Sequence, residues 1–381
     1  MGETSGGRVT IRDVAGLAGV GVGTVSRVLN GSSAVSPERR AAVLAAIATL
    51  GYRPSEVARQ LSRRVPKQVA VLVTFMTRPS VVERLRGIVH ELIQDGFDPI
   101  VFDVETASQR DHHLEAITER YLADGLLAVS VPVPEPLLER LRQVRCPVVF
   151  VDWFEAGVPA VGVDDVAGGA LATEHLLGLG HERIAFLGDV EIPGLGFRST
   201  PDRERGFRAA LFAAGVGVRE EWIVKVPHGA QPAADAARAF LASPERPTAV
   251  VAASDTQAIG VLRAASELGL RVPGDLSVIG YDDIEMAAAV GLTTIHQPLI
   301  ETGVRGARLL KRLFRGGPPP ADADHEILPV AIVERRTTGP PRAPGRDPER
   351  RGVRATALSA RDPPARRCLV PEQTDLGFLC Q

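Results

Sequence analysis

Cysteine is scarce, with Cys146, Cys368 and Cys380 the only three in 381 residues. Their spacing builds neither a metal knuckle nor a redox dithiol, which excludes a disulfide scaffold and a zinc ribbon and fits reduced thiols in a cytosolic compartment. Long apolar runs are missing too. No stretch approaches the roughly 18 to 20 residues of a membrane helix, and Met1 to Gly7 carry no charged-then-apolar export signal. A cytoplasmic protein with no membrane partner is expected.

Catalytic patterns are equally thin. Asp111-His112-His113 looks like part of a metal phosphoesterase triplet, but it opens a polar helical stretch with no companion Asp motif, and it reads as a solvated helix face. Gly19-Val20-Gly21-Val22-Gly23 imitates a phosphate-binding glycine string without the preceding strand that such a loop needs. Gly194-Leu195-Gly196 stands alone and reads as a mobile loop. Cys146 precedes Pro147 at a strand start with no His and acid to activate it, so a buried structural thiol is expected. Neither a cofactor nor a metal is expected, and an enzyme is the least favoured function class.

What is present is a long chain, 45% apolar, enough for two or three domains. Its near-neutral charge of -2 conceals basic ends. Residues 1–66 hold nine arginines against four acids, and residues 339–381 hold eight arginines against five, so the middle carries the acidic excess. A small basic domain beside an acidic large one suits a nucleic-acid reader joined to a soluble core.

The periodicity changes along the chain. From Val9 to Leu61 the text reads as short helices broken by Gly, Asn and Ser, an all-α module. From Gln68 onward, apolar runs such as Val69-Ala70-Val71-Leu72-Val73, Pro99-Ile100-Val101-Phe102, Gly125-Leu126-Leu127-Ala128-Val129 and Pro147-Val148-Val149-Phe150-Val151 alternate with helical stretches. Buried parallel strands with crossover helices explain that rhythm. It restarts at Arg183-Ile184-Ala185-Phe186-Leu187, passes through Thr248-Ala249-Val250-Val251 and Leu276-Ser277-Val278-Ile279, and ends near Val333. Two doubly wound α/β lobes with a cleft between them use this number of units. Residues 339–381 collapse into Pro and Arg without apolar periodicity and read as a disordered tail. The expected domains are therefore a head at 8–53, a linker at 54–66, a two-lobed core at 67–338 and the tail at 339–381.

The head carries the strongest signal. Two short helices meeting steeply need a small residue at the contact, a residue that tolerates a left-handed turn between them, and apolar inner faces. Ala15 supplies the first, Gly19 the second, and Val14, Ala18, Val20, Val25 and Val28 the third. Thr10 stands ahead of the first helix. The second helix then presents Val22, Gly23, Thr24, Ser26 and Arg27 outward, the face that a recognition helix lays in the major groove, with Asn30 just beyond it. Arg27 is the natural guanine reader, because a guanidinium pairs bidentately with O6 and N7. Ser36-Pro37 starts a third, bracing helix that Gly51 closes.

Thr24-Val25-Ser26-Arg27-Val28-Leu29-Asn30, Val35-Ser36-Pro37 and Gly51-Tyr52-Arg53-Pro54-Ser55 resemble the head of the lac and galactose repressor family, and the similarity in pattern runs from Val9 to about Thr338. The resemblance implies a hinge helix after the third helix. Val57-Ala58-Arg59-Gln60-Leu61 matches it, with Leu61 as the wedge that opens a minor-groove base step and Arg59 as a nearby contact. Gly21 stands where the family usually has a capping Ser, and Gly23 stands at a usual base-reading position.

The core resembles the family's periplasmic-binding-protein-like fold through Arg203-Glu204-Arg205-Gly206-Phe207, Ala253-Ser254-Asp255, Gly280-Tyr281-Asp282-Asp283 and Thr293-Thr294-Ile295-His296-Gln297-Pro298. The resemblance implies that Asp152, Arg203, Ser254 and Asp282 are the polar ligand contacts, with Gln297 a weaker candidate. Ser254 replaces an Asn common in the family. Val81 and His228 fall where members carry aromatics, which leaves Trp153 to restore part of a stacking face for a sugar.

These readings converge on an allosteric repressor. A homodimer would grip a roughly palindromic DNA operator, and a small-molecule effector, a carbohydrate by resemblance, would close the cleft and control the hinge. The rival reading is a solute-binding module of transport, which shares the core fold but would need an export signal and no Arg27 or Leu61.

Overall fold

The computed structural model describes residues 9–29, 34–52, 68–120, 122–316 and 325–342. The expected hinge with Arg59 and Leu61, the base-reading candidate Asn30 and most of the expected tail lie outside the described residues.

The head is three helices, α1 (Ile11–Ala18), α2 (Val22–Leu29) and α3 (Pro37–Leu50). Local chemistry sets each boundary. Asp13 accepts hydrogen bonds from both the backbone N–H and the hydroxyl of Thr10, each at 2.8 Å, which fixes the start of α1. Gly19 ends that helix at φ 63°, and the Val20 N–H donates back to the Ala15 carbonyl at 3.1 Å. The Gly21 carbonyl then accepts from Thr24 and Val25 to start α2, with no side chain at Gly21 to assist. Ser36 caps α3 by accepting from the Arg39 N–H. Val14, Ala15, Val25, Val28, Val43 and Ala46 are buried together where the three helices meet, so the inner face expected from the sequence is the inner face observed.

Two six-stranded sheets follow. The first contains β1 (Gln68–Thr74), β2 (Asp98–Val104), β3 (Gly125–Val129), β4 (Val148–Val151) and β5 (Ala160–Val163) in the order β2-β1-β3-β4-β5. The second contains β6 (Ile184–Asp189), β7 (Ile223–Val226), β8 (Ala249–Ala252), β9 (Ser277–Asp282) and β10 (Thr293–His296) in the order β7-β6-β8-β9-β10. All of these pair in parallel. β3, β4 and β8 are buried along their whole length, which is why their sequences are continuous apolar runs and do not alternate. The strand order reverses at β1/β3 in one lobe and at β6/β8 in the other. These switch points are where open parallel sheets place their ligands.

The helices that carry functional groups are α4 (Pro79–Gln94) and α5 (Ala107–Arg120) in the first lobe, and α7 (Asp165–Gly178), α8 (Ser199–Ala213), α9 (Ala230–Leu241) and α10 (Asp255–Glu267) in the second. α6 (Glu135–Gln143) and α11 (Glu285–Val290) complete the crossovers. The chain then returns: α12 (Leu299–Phe314) packs on α4 in the first lobe, β11 (His325–Leu328) extends the first sheet beside β5, and β12 (Ala331–Val333) pairs antiparallel with β10 in the second. The backbone thus crosses between lobes three times, after β5, after β10 and after β11. The described chain ends pinned to the second lobe, with Thr337 donating to the Val278 carbonyl at 2.7 Å and the Gly339 N–H donating to Ser277 Oγ at 3.1 Å.

The α4–α12 contact is made backbone to backbone. A Cβ at Gly87 would stand 2.2 Å from the Ile300 carbonyl oxygen, and one at Gly303 would stand 2.2 Å from that of Arg84. Side chains at either site would push the helices apart. Gly87→Ala should therefore destabilise the fold by about 1 to 3 kcal/mol, read as a lowered thermal unfolding midpoint. An unchanged midpoint would mean that the pair separates without cost.

Candidate functional site

Backbone strain marks the cleft before any side chain is considered. Among the described residues, six besides glycine have positive φ, and five of them sit at C-terminal strand ends: Phe75 (φ 50°), Ser130 (53°), Asp152 (61°), Asp282 (119°) and Asp283 (60°). Each such residue costs on the order of 1 to 3 kcal/mol, and strain of this kind concentrates where side chains must be aimed.

Those strand ends surround a cavity lined by residues of both lobes, among them Val81, Arg84, Asp152, Arg203, His228 and Asp282. A second chamber adjoins it, lined by Trp153, Phe154, Asp165, Arg198 and Asp202, and shares Ser130, Asp152, Phe197 and Ser199 with the first. A larger hollow lies at the opposite, N-terminal ends of β3 and β4. No comparable convergence of charged groups occurs there.

In the second lobe Arg203, on α8, is the hub. Its Nε donates to Asp165 at 2.8 Å, its Nη1 donates to the Ala253 carbonyl, Asp282 lies 3.8 Å away, and the guanidinium carbon stands 3.6 Å from the Tyr281 ring centroid. In the first lobe Arg84, on α4, is shared between Asp152 at 2.9 Å and the Gln297 side-chain oxygen at 3.0 Å. Gln297 in turn donates to Asp282 at 2.6 Å. Asp152 also accepts from the Ser130 hydroxyl at 2.7 Å. Across the cleft, Arg78 reaches Asp189 at 3.3 Å, and Asp189 further accepts from Gln257 at 2.8 Å and faces His228 Nδ1 at 3.1 Å.

Burial sets the electrostatics. It raises the carboxyl of Asp165 to about 6 against the pull of Arg203, and it raises Asp282 despite Arg203 and Arg84. Asp255, behind the wall, is pushed up to about 8, first by burial and then by neighbouring Asp282, while the Thr294 hydroxyl and the Ile284 N–H hydrogen-bond to it. Two polar atoms of cavity-lining residues are left buried without a partner, Arg84 Nε and His228 Nε2. Because the Asp189 carboxylate can only accept, His228 Nδ1 donates to it, which leaves Nε2 as the ring nitrogen without a partner.

Six of the eight effector candidates therefore line one cavity: Val81, Asp152, Arg203, His228, Ser254 and Asp282. Trp153 lines the adjoining chamber, with the Arg198 guanidinium 4.8 Å over its ring. Gln297 is buried and holds Arg84 and Asp282 in place. The Ser254 hydroxyl caps α10, accepting from the Gln257 N–H and donating to the Gln257 side-chain oxygen. Sequence reasoning missed Arg78, Arg84, Asp165, Asp189, Gln257 and Phe197. The strand-end position of Asp189 was the one available signal, since the others come from helices and loops whose facing depends on the second lobe. On the head, Thr10, Val22, Gly23 and Arg27 are exposed on α1 and α2, while Thr24 and Ser26 are half-buried.

Residues 10–55 match the family described as bacterial regulatory proteins, lacI family, and residues 173–338 match a periplasmic binding protein-like domain. The transcriptional repressor PurR of Photobacterium profundum is 36% identical over 325 residues, covering 83% of this chain and 93% of the relative. The ribose operon repressor of Escherichia coli K12 is 37% identical over 303 residues, covering 77% and 89%. Among solved structures, the lac repressor dimer bound to operator and an anti-inducer superposes with a TM-score of 0.71 at 28% identity, covering 87% of this chain and all of that one.

The raised carboxyl of Asp255 has a pH consequence. Unfolded, the group loses its proton near 4, and folded it keeps it to about 8. Its contribution to stability is thus fully present below about pH 4 and is lost as the pH rises through about 8. The thermal midpoint should fall between pH 5 and 8 in the parent protein and fall less in Asp255→Asn. Equal slopes would place the carboxyl at an ordinary value.

Proposed function

The chain belongs to the lacI family of bacterial regulatory proteins and is a DNA-binding transcriptional repressor under effector control, and we propose that its effector is a neutral polyhydroxyl compound, a single-ring sugar, held between the two lobes. The observation that carries this is the pair of unpartnered atoms on the cavity. Arg84 Nε–H needs an acceptor, and His228 Nε2 needs a partner able to serve as donor or acceptor. A hydroxyl group is both at once, and a ring bearing several of them satisfies each atom without bringing a charge. Leaving such groups buried and unpaired costs about 1 to 3 kcal/mol each, which ligand binding recovers.

Charge balance supports the same class. Arg78, Arg84 and Arg203 stand among Asp152, Asp165, Asp189 and Asp282, so the cavity has no surplus cation to offer a phosphate. The carboxylates and guanidiniums are already held by one another, which leaves them preorganised to receive hydroxyls. The cleft is read as a binding site without catalysis: the Ser130 hydroxyl is committed to Asp152 and that of Ser254 to Gln257. D-ribose, the sugar named for one relative, is the first probe.

On this reading two heads of a homodimer place their α2 helices in successive major grooves of a roughly palindromic operator. The three interlobe crossings let the lobes rotate when the cleft fills, and the linker after α3 transmits the change. Asn30, Arg59 and Leu61 complete the proposed DNA contacts.

The two ends should be separable by mutation. With an operator recovered by selection from genomic fragments, Arg27→Ala should weaken specific binding by about 1 to 3 kcal/mol and leave D-ribose affinity, read by calorimetry, intact. Asp282→Asn should keep operator affinity and lose the response of DNA binding to the sugar. A full response in Asp282→Asn would remove that carboxylate from the effector site.

A further inference from the structure

The segment 190–198, between β6 and α8, belongs by sequence to the second lobe, yet its Leu195 is completely buried in the apolar core of the first. Every other buried member of that core cluster lies between Ala70 and Ala160. Ile192 and Phe197 pack against the same cluster, while Val190, Glu191, Pro193, Gly194, Gly196 and Arg198 are exposed around them. Leu195 is thus the one fully buried residue of the loop, flanked by the half-buried Ile192 and Phe197. A polar contact from the first lobe accompanies it. Arg110, on α5 of the first lobe and itself buried, donates to the Gly194 carbonyl at 3.0 Å, and the Arg110 Nε is steadied by Asp111 at 2.8 Å.

The loop also delivers a ring to the cleft. Phe197 lines both chambers, and its ring centroid lies 5.9 Å from that of Phe75 on the first lobe. The Arg78 guanidinium stands 4.4 Å from the Phe75 ring and 5.7 Å from the Phe197 ring while reaching Asp189. Of the aromatic positions suggested by the sequence, Val81 and His228 are not aromatic carbocycles, and Trp153 lines only the adjoining chamber, with Arg198 over its ring. An apolar ring beside hydroxyl-binding groups is what the C–H face of a sugar requires.

We propose that residues 190–198 form a strap in which Leu195 plugs the second lobe into the first and Phe197 is the specificity-determining wall of the cavity, so that effector exchanges only when Leu195 withdraws. The reasoning is that separating the lobes exposes a fully buried leucine to water, which makes opening slow and the closed cleft small. The proposal rests on the cleft being the effector site, and its test is arranged so that the two can fail separately.

A Cβ built at Gly194, where φ is 77°, stands 3.0 Å from the Ala107 Cβ, about half an ångström inside the closest usual disulfide separation, so the loop must give slightly to bridge the two. In a full-length background with Cys368→Ser and Cys380→Ser, the pair Ala107→Cys and Gly194→Cys should cross-link under mild oxidation. Cys146 should not interfere, because burial pushes its thiol up to about 12. Adding Leu195→Asp should slow cross-linking at least about tenfold. In the ligand arm, D-ribose should dissociate about ten- to a hundredfold faster from Leu195→Ala than from the parent, with Leu195→Met close to the parent. Phe197→Ala should lose affinity for D-ribose while retaining the cross-link. A cross-link that forms but ignores Leu195→Asp overturns the strap, and so does unchanged D-ribose dissociation from Leu195→Ala. If the parent binds no D-ribose while the cross-link depends on Leu195, the sugar reading falls and the strap stands.

Discussion

A guanidinium taken out of water must bring its counter-charges with it, and Arg203 is where this protein meets that demand. Its contacts come from the start of α7 through Asp165, the end of β8 through Ala253, and the end of β9 through Asp282 and Tyr281. One side chain therefore fixes the relative positions of three elements around the second lobe's switch point. Asp282, Tyr281 and Ala253 are buried and Asp165 is half-buried, and the carboxyls of Asp165 and Asp282 are raised because the same desolvation that strengthens the pairing penalises every charge in it. Such a set adds little net stability, but it imposes one geometry, which a recognition site needs more than it needs stability.

The first lobe repeats the arrangement with Arg84, and Gln297 joins the two. Gln297 sits just past β10, where the chain crosses between lobes, and it touches Arg84 of one lobe and Asp282 of the other. The crossing is thus in hydrogen-bond contact with both halves of the cavity. Across the mouth, Arg78 on Asp189 and Leu195 in the first-lobe core oppose opening, one by charge and the other by burial. Closure of the cleft and the shape of the cavity depend on the same few residues, and this is the physical basis for coupling a bound effector to a movement of the lobes.

Much of the fold was legible in the sequence because it is local or periodic. Continuous apolar runs marked the parallel strands, and Ser36-Pro37 and the glycines at 19 and 51 marked helix boundaries that the structure places at those residues. The cavity positions were legible where a polar residue ends a strand, as at Asp152 and Asp282. Gly194-Leu195-Gly196 reads as a mobile loop beside the cleft, and the structure places its leucine in the first-lobe core. Two glycines at positive φ do flank the leucine, but the leucine is buried by a surface that only the other lobe provides. Trp153, expected to restore part of a stacking face, lines the adjoining chamber with Arg198 over its ring. The Ser254 hydroxyl is engaged as a helix cap.

The sequence by itself determined the order of the elements, the helical head with its exposed arginine, and the winding of two α/β lobes, since each follows from hydrophobic period, capping chemistry and the rule that parallel strands need crossovers. Only the tertiary structure decided which side chains share the cavity. Arg78, Arg84 and Phe197 reach it because α12 returns to α4 through Gly87 and Gly303, and because a loop of one lobe is buried in the other. Those are long-range contacts between segments far apart in the chain. No local pattern encodes them, because their stabilisation exists only when both partners are already in place.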